Sequence, residues 1–591
     1  MEWLPATTLA SPNQLLLLIR LSSLPAFPPY HVSHVCELQS AMDEGEGQFI
    51  SCTGIVTSIT NIEKYTESAC YYCPNSSCTS DPHIRYHSVG SYEYNTINDN
   101  LKCHYCGLIL IEDVKQRILS DKLLISLVPT DVLYPVSGSS YQGFTVILRD
   151  DLCSMVEIGG EYTVIGVAIN NNNSTNNGRI TVDTVIEANN VYKTLNDSTN
   201  KQLSPNILQI FNGCQYSRWS FPAILAYYFA SDVVPLGLYY RLKLIILLSL
   251  VACSEPRNRI IDVLLIIDND SQYIARQLLT YSSTVTNNRS SAVTNNRSVI
   301  HTVNGGVHLN GTIRRDEGLE WIDAGSLILS KGGICFIDNI NSMKKDEKEQ
   351  LQQVLESGYI TIHSNRKSIS SSSLTVPLNC TLWLLCDSNL NTDHVMHKPL
   401  HELSGTCASK SLMDHSGLLL LVDSSDDYVD QIMSAYLINK VTRDRSLSTH
   451  PHPLLTNDEI IEILSFCSSI DVTLQSDAHQ LLTSYFVASR RLRGSDTPLT
   501  ALNTLISLSV SHAKLNLQTK ATVNDSLLSI LIYEQSLIHR YGHSALYIKP
   551  FLHLKEQDSI NYFDHYMKEF SVQVHSFINS HSSNVHIQTE E

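Results

Sequence analysis

The sequence lacks any apolar run long enough to cross a membrane. Its most apolar stretch, Leu244 to Cys253, is about ten residues long, roughly half of what a membrane-spanning helix needs. The residues that follow Met1 also lack the basic and then apolar pattern of a secretory signal. We therefore expect no membrane partner and a reducing compartment, in which cysteines are thiols or metal ligands and not disulfides.

Basic residues are also in short supply. The chain has 41 Lys and Arg against 58 Asp and Glu, which gives a formal net charge of −17. This balance excludes a protein that coats nucleic acid through bulk positive charge, because phosphate binding depends on clustered Lys and Arg. It leaves room for a local basic strip or for protein partners. With 43% hydrophobic residues and 591 residues in all, the chain is globular and too long for one core.

A third absence concerns phosphate binding. No glycine is followed by a lysine anywhere in the chain. The common phosphate-binding loop needs that dipeptide, because its glycine amides surround the phosphates and its lysine contacts them. The segment most similar to such a loop, Gly405 to Ser411, has the wrong spacing between its glycine and its lysine. The sequence therefore excludes a conventional phosphate-binding loop.

The residues that are present fall into blocks of different pattern. Short β-rich runs broken by Gly, Asp and Asn turns predict a small all-β barrel. Further along, helical stretches alternate with apolar runs that are typical of buried parallel strands, so that block is predicted to be α/β. These runs are Val263–Ile267, Gly333–Ile337, Thr381–Leu385 and Leu418–Val422. We divide the chain into a reduced N-terminal segment (1–47), a barrel with a cysteine-bearing insertion (48–195), an α/β domain (196–430), a helical domain (450–546) and a C-terminal helix and tail (547–591).

Two Cys-x-x-Cys pairs lie inside the β-rich block. Cys70 with Cys73 and Cys103 with Cys106 each offer two thiolates, and two such turns complete a tetrahedral four-cysteine site. An all-thiolate site has no open coordination position, so the predicted zinc is structural and not catalytic. The alternative is that these cysteines are ordinary thiols, which the paired spacing disfavours. Cys78 is a spare that either substitutes for a ligand or is simply buried.

Several longer segments resemble one family. They are Gly54-Ile-Val-Thr-Ser, Val146-Ile-Leu-Arg-Asp-Asp-Leu, Asp323-Ala-Gly-Ser-Leu-Ile-Leu-Ser-Lys-Gly-Gly-Ile-Cys-Phe-Ile-Asp-Asn and Leu505-Ile-Ser-Leu-Ser-Val-Ser-His-Ala-Lys, together with the cysteine pairs. Over residues 20–545 the chain resembles the minichromosome maintenance (MCM) family. The resemblance implies a multidomain chain with an OB-fold β-barrel and zinc ribbon, followed by a degenerate AAA+ α/β domain and a helical lid.

The family's ATPase chemistry requires a phosphate-binding loop that this chain lacks. Hydrolysis uses loop glycines, a lysine on the phosphates and a hydroxyl on Mg²⁺. When the chain is aligned on its Gln277-Leu-Leu, the two glycines fall on Asn269 and Gln272. The lysine position holds Ala275 and the hydroxyl position holds Arg276. We therefore do not expect ATP as a cofactor.

The other catalytic positions of the family are also altered. Asp338 after the Walker B strand is kept, but the glutamate position holds Asn339, which cannot take a proton from water. Asn389 matches the sensor-1 residue of the family. The arginine finger falls on Asp414 and the sensor-2 arginine falls on Thr500. The resemblance implies that the chain has no catalytic residues and neither hydrolyses ATP nor completes a neighbour's site.

The pattern of losses resembles a divergent branch of the family. That resemblance implies a nuclear, non-catalytic factor in meiotic homologous recombination and double-strand break repair, a scaffold that supports crossover formation. DNA, recombination proteins or other family members are its expected partners. The alternatives are an active ATP-dependent helicase subunit of a hexamer and a single-strand nucleic-acid-binding module.

The last alternative, a single-strand nucleic-acid-binding module, needs basic and aromatic groups in a barrel groove. Such groups lie near the cysteine pairs, where they serve either as stacking contacts for bases or as packing. They are Lys64, Tyr65, Tyr71, Tyr72, His104 and Tyr105.

Overall fold

The fold is taken from a computed structural model that describes part of the chain. The described residues are 19–25, 30–33, 37, 48–88, 97, 101–129, 143–174, 180–193, 203–253, 255–268, 272–289, 297–302, 308–316, 318–363, 373–388, 409–422, 427–442, 455–494, 497–542, 544, 546, 548 and 558–582. They form two compact units. The first contains the described residues up to 193 and the hairpin Thr312–Ala324, and the second contains the remainder.

The first unit is built from strands. They are β1 (Phe49–Thr60), β2 (Glu63–Tyr72), β3 (His83–Tyr86), β4 (Ile111–Glu112), β5 (Ile118–Val128), β6 (Phe144–Arg149), β7 (Glu161–Ser174) and β8 (Ile180–Lys193).

The elements that follow mix helices and strands. In chain order they are α1 (Pro205–Gly213), α2 (Ser220–Tyr228), α3 (Tyr240–Ala252), β9 (Val263–Asp268), α4 (Gln272–Arg289), β10 (Val299–His301), β11 (Gly311–Asp316), β12 (Leu319–Ala324), α5 (Ser326–Leu329), β13 (Ile334–Ile337), α6 (Lys345–Ser357), β14 (Tyr359–His363), β15 (Ser373–Pro377), β16 (Thr381–Ser388), α7 (Lys410–His415), β17 (Leu418–Val422), α8 (Asp427–Thr442), α9 (Asn457–Ser469), β18 (Thr473–Leu474), α10 (Ser476–Arg493), α11 (Ala501–Leu515), β19 (Lys520–Ala521), α12 (Val523–Tyr541) and α13 (Asp558–Ser582).

Five strands of the first unit close into a barrel. The ring runs β1, β7, β8, β6, β5 and back to β1, and only its β6–β8 pair is parallel. Alternate residues of β5 (Leu123, Ile125 and Leu127) are buried in the core, as the two-residue period of a strand dictates. Gly166 sits at a β7–β8 bulge, where a Cβ atom would lie 2.4 Å from the carbonyl oxygen of Glu187. The ring is an OB-fold, which confirms the predicted barrel.

A hairpin from later in the chain extends the barrel's sheet. Strand β12 pairs antiparallel with β1, with Ser58 opposite Asp323 and Thr60 opposite Trp321. The Ser58 hydroxyl donates to the Asp323 carboxylate at 2.6 Å. The hairpin lies within the block predicted as α/β, yet the strand it pairs with is about 260 residues earlier, a long-range pairing that no local pattern reveals.

The second unit contains a parallel sheet and a bundle of helices. The five-stranded sheet has the order β10, β13, β16, β9 and β17, with every neighbouring pair parallel. Its last four strands contain the four apolar runs, so the α/β prediction is confirmed. Strand β10 escaped prediction because it is three residues long and ends in the buried His301. In none of the described helices do length and apolar character together suffice for a membrane crossing.

The helices after the sheet include the predicted lid helix, which is α11. The C-terminal amphipathic stretch also forms the predicted helix, α13. Its buried Phe563, Met567, Phe570, Val574 and Phe577 recur every three or four residues, which places them on one face. That face packs on the bundle that contains α10 and α12.

Candidate nucleotide site and cysteine cluster

Some of the positions that align with nucleotide-binding residues lie at one edge of the parallel sheet. Strands β13, β16 and β9 are neighbours, so their carboxyl ends lie side by side, where ligands of such sheets bind. Asp338 directly follows β13, Asp387 lies near the end of β16, and Gln272 begins α4 after β9. Two aligned positions, Asn269 and Asn389, lie outside the described residues.

Arg276 binds the acidic residue of the Walker B position. Its Nε donates to Oδ1 of Asp338 at 2.8 Å. The arginine side chain is 38% exposed and the aspartate 20%. The position at which the family resemblance places a Mg²⁺-binding hydroxyl thus holds a guanidinium, and this guanidinium already binds the Asp338 carboxylate.

Ala275 occupies the position of the phosphate-binding lysine. It is 2% exposed and belongs to the apolar core of the second unit, with Leu278 and Leu279 of the same helix. The position is directed into the protein. Gln272, one turn earlier, is half-buried and donates a hydrogen bond to the Asp387 carboxyl.

Asp387 is a second carboxyl at this edge. Burial raises its pKa above the ordinary value, and the charge of Asp338 adds to the rise. The hydrogen bond from Gln272 and the charge of Arg276 act in the opposite direction. The two carboxyls therefore interact with each other, with the guanidinium of Arg276 and with the amide of Gln272.

Asn339 is engaged in a local turn. Its backbone is left-handed, with φ of 64°, a conformation that asparagine tolerates better than most residues. Its side-chain oxygen accepts from the backbone N–H of Asn341 at 3.0 Å. The amide of Asn341 in turn donates to the Asp387 backbone oxygen at 2.7 Å. These hydrogen bonds fix the turn that follows β13.

The two positions aligned with trans-acting arginines carry no positive charge. Asp414 is half-buried on α7, and Thr500 is exposed immediately before α11. Among the nearby arginines, Arg493 is bound by Glu534 at 3.0 Å and Arg491 donates to the backbone oxygen of His581 at 2.6 Å. Both arginines are committed to contacts within the helical bundle.

Four cysteines of the first unit form a cluster. The sulfur atoms of Cys73, Cys78, Cys103 and Cys106 all lie within 4.8 Å of one another. Two distances are shorter, 3.3 Å from Cys73 to Cys106 and 3.8 Å from Cys78 to Cys103. Backbone amides of Cys106 and Tyr105 lower the pKa of the Cys103 thiol to about 6, which favours the thiolate that a metal requires.

The structure corrects one predicted ligand, since Cys78 and not Cys70 belongs to the cluster. Cys70 lies inside β2, opposite Ile84 of β3, and is 4% exposed. Burial raises the pKa of its thiol. Strand β2 continues to Tyr72, so the chain turns only after Cys73, and the turn closes where the N–H of Cys78 donates to Asn75 at 3.0 Å. The two cysteines that this segment contributes to the cluster, Cys73 and Cys78, therefore have four intervening residues instead of two.

Comparisons with known proteins agree with this architecture. A family model described as the MCM P-loop domain matches residues 230–440. The rat protein named minichromosome maintenance domain-containing protein 2 is 30% identical over 96% of this chain and 85% of its own length. The human protein of that name shows the same identity and coverage. The chain belongs to the minichromosome maintenance family.

A more distant MCM relative matches a smaller part. The rice (Oryza sativa subsp. indica) protein named probable DNA helicase MCM9 is 24% identical over 37% of this chain and 32% of its own length. We call the edge of the sheet that carries Asp338 and Asp387, with Gln272 and Arg276 beside it, the acidic edge. The P-loop match contains all four of these residues. This MCM chain thus has a family scaffold in which the described positions at that edge bind one another.

Three residues of these sites were not predicted as site residues. Asp387 ends an apolar strand, and an acidic residue there is the signal that would have revealed it. Asn341 gave no signal, because its role depends on a backbone oxygen 46 positions later. Cys78 was noticed as a spare thiol, and only the extent of β2 assigns it to the cluster.

Proposed function

We propose that this MCM-family chain is a non-catalytic factor that neither hydrolyses ATP nor completes a neighbour's site. The observation that carries the proposal is the contact between Arg276 and Asp338. A magnesium–nucleotide complex does not fit these residues. The cation would meet a guanidinium already bound to its carboxylate, and the phosphates would find the buried Ala275 in place of a lysine.

The remaining positions support the same proposal. An active MCM site needs a carboxylate that takes a proton from the attacking water, and Asn339 has none. Neither Asp414 nor Thr500 offers the charge that stabilises a transferred phosphoryl group. Several independent losses around intact strands are harder to attribute to misalignment than a single loss.

The cellular role that we propose is support of crossover formation in meiotic homologous recombination and double-strand break repair, in the nucleus. It rests on the 30% identity to the minichromosome maintenance domain-containing proteins and on the altered ATPase positions. In this role the chain is a scaffold that contacts DNA, recombination proteins or other MCM-family members.

The first experiment measures ATP turnover of the purified full chain with Mg²⁺, with and without DNA. We expect no turnover above the level of an Asp338→Ala variant. DNA-stimulated hydrolysis that Asp338→Ala abolishes would support the helicase alternative instead. The second experiment is a pull-down from germ cells, in which we expect recombination proteins. Recovery of replication-fork components alone would contradict the meiotic role.

We further propose that the cluster of Cys73, Cys78, Cys103 and Cys106 holds one structural zinc ion. Four thiols at mutual contact match the tetrahedral ligand set of such sites, which leave no coordination position for a substrate. Bound there, zinc would fix the conformation of the two loops that carry the ligands. The residues of this chain would contribute only ligation and backbone hydrogen bonds.

A second candidate function, single-strand nucleic-acid binding by the barrel, has one observation in its favour. Tyr72 and Tyr105, beside the cysteine cluster, are 45% and 77% exposed. Proteins that bind single strands stack bases on exposed aromatic rings of this kind. Tyr65 and Tyr71 are buried, so packing is the interpretation that holds for them. This candidate predicts that residues 1–195 carry the full affinity, and a truncation with reduced affinity would remove it.

A further inference from the structure

We propose that the guanidinium of Arg276 is a built-in substitute for the metal ion of an ATPase site. In this view it ties α4 to the acidic edge of the sheet and makes the fold of the second unit independent of any ligand. The inference rests on the proposed absence of nucleotide binding and gives it a structural cause.

The acidic edge needs a positive charge. Asp338 and Asp387 belong to neighbouring strands, whose register places Ile337 opposite Leu384. The two carboxyls interact electrostatically, since the charge of Asp338 raises the pKa of Asp387. Two carboxyls at one edge of a sheet repel each other unless a cation is bound between or beside them.

One face of α4 supplies what the edge needs. Gln272 and Arg276 are four residues apart and therefore lie on the same side of the helix. Gln272 donates to Asp387, and Arg276 donates to Asp338 at 2.8 Å. Other residues of the same helix, Ala275 and Leu278, are buried in the core. The helix is thus bound to the acidic edge by Gln272 and Arg276 and to the core by its buried apolar residues.

An arginine suits this position better than a metal ion that must be bound from solution. Its charge does not titrate in the physiological range, and it is attached to the chain, so no ion has to be bound from solution. The contact is part of the folded state itself. Folding of this unit should therefore be insensitive to magnesium, and removal of the guanidinium should leave an acidic pair that attracts a divalent cation.

The test uses the purified full chain and thermal unfolding with magnesium chloride or with sodium chloride at equal ionic strength. For the unaltered chain we expect the same Tm in both salts. Arg276→Ala should lower Tm in sodium chloride by about 2 °C or more, and magnesium should restore part of the loss. Arg276→Gln, which retains a similar shape, serves as the second variant should the alanine variant fold poorly.

Two controls make the result specific. Arg259→Ala removes an arginine of similar exposure (44%) that pairs with Glu255 at 3.6 Å in the same unit, and it should gain no response to magnesium. Asp338→Asn added to Arg276→Ala should abolish the response, because the acidic pair is gone. A magnesium response that survives Asp338→Asn would overturn the inference.

The failure of this inference is distinguishable from failure of the proposed function. If Arg276→Ala and Arg276→Gln both keep the original Tm and ignore magnesium, the substitute role of Arg276 is wrong while the chain remains non-catalytic. If the unaltered chain turns over ATP, the proposed function is wrong, whatever the Tm of the variants.

Discussion

The cysteine cluster of the first unit and the acidic edge of the second unit are both places where the family resemblance implies a bound ion. At the cluster the sulfur atoms of four cysteines converge within 4.8 Å of one another. At the edge the carboxylate of Asp338 is already bound by Arg276. The cysteine cluster thus still has a set of side chains that an ion could bind. At the acidic edge, in our proposal, the guanidinium of Arg276 stands in place of the ion.

The surroundings of the two places explain the difference. The loops around the cysteines carry exposed apolar residues, among them Tyr105, Leu108 and Val114 at 77%, 47% and 67% exposure. Such loops have little core to hold them, so an ion contributes much of their order. The edge belongs to a sheet whose central strands are buried, for example Leu384 at 0%. We expect the packing of this core to hold the sheet without a ligand, so loss of the chemistry should not unfold it.

The largest effect in this comparison is expected at the cysteines. Cys78→Ala and Cys103→Ala should each reduce bound zinc from about one ion per chain to a small fraction and unfold the loops, because the tetrahedral site loses a ligand. The measurement is metal content together with thermal unfolding.

Cys70→Ala is the matched control, since Cys70 is a neighbouring thiol outside the cluster. It should retain zinc. Zinc loss in Cys70→Ala with retention in Cys78→Ala would show that the ligand set predicted from sequence was the correct one.

The next effect concerns an ion pair that stabilises the helices of the second unit. Glu534 is 0% exposed and binds Arg493 at 3.0 Å and the Tyr485 hydroxyl at 2.5 Å. Glu534→Ala should lower the free energy of unfolding by about 3–5 kcal/mol, because it leaves a buried guanidinium without its partner. Denaturant unfolding measures this loss.

The control is Glu349→Ala, which removes an exposed partner of Lys345. It should change stability by at most about 0.5 kcal/mol. Equal effects of the two substitutions would contradict the view that internal charge pairs hold this unit.

A smaller effect is expected from restoring the lysine of a phosphate-binding loop. Ala275→Lys should destabilise the chain by about 1–3 kcal/mol and confer no ATP binding, because the position faces the core and Arg276 remains in place. Tyr273→Lys, at a 64% exposed position of the same helix, is the control and should be nearly neutral. Tight ATP binding by the Ala275→Lys variant would show that the edge still accepts a nucleotide.

A last effect is a pH dependence in the helical part. Burial lowers the pKa of His539 from 6.5 to about 4. The unfolded chain then binds a proton at a higher pH than the folded chain does. The contribution of His539 is present above pH 6.5 and is lost as the pH falls towards about 4. His539→Gln should flatten this part of the curve of unfolding free energy against pH, and an unchanged curve would assign the acid sensitivity to other groups.

Local pattern predicted much of the fold. The apolar runs that became β9, β13, β16 and β17 are long and uniform enough to identify buried strands without a partner. The three-residue β10 is too short for this, and it ends in the buried polar His301. The hairpin of β11 and β12 was not predicted, and its place on the barrel's sheet depends on Ser58 and its neighbours far earlier in the chain.

The candidate sites divide in the same way. The absence of a lysine at Ala275 and of a glutamate at Asn339 is readable from an alignment. The binding of Asp338 by Arg276 is not, because it depends on how a helix is placed over a sheet. Spacing alone favoured Cys70 over Cys78, and only the length of β2 reverses that choice.

By itself the sequence determined that this chain has the strands and helices of an MCM protein and lacks the residue types that its ATPase uses. Those properties depend on side-chain identity and on periods of two or four residues. Only the tertiary structure decided which cysteines meet and what Arg276 binds. Distances between residues far apart in the chain depend on strand register and helix packing, and a sequence period contains neither.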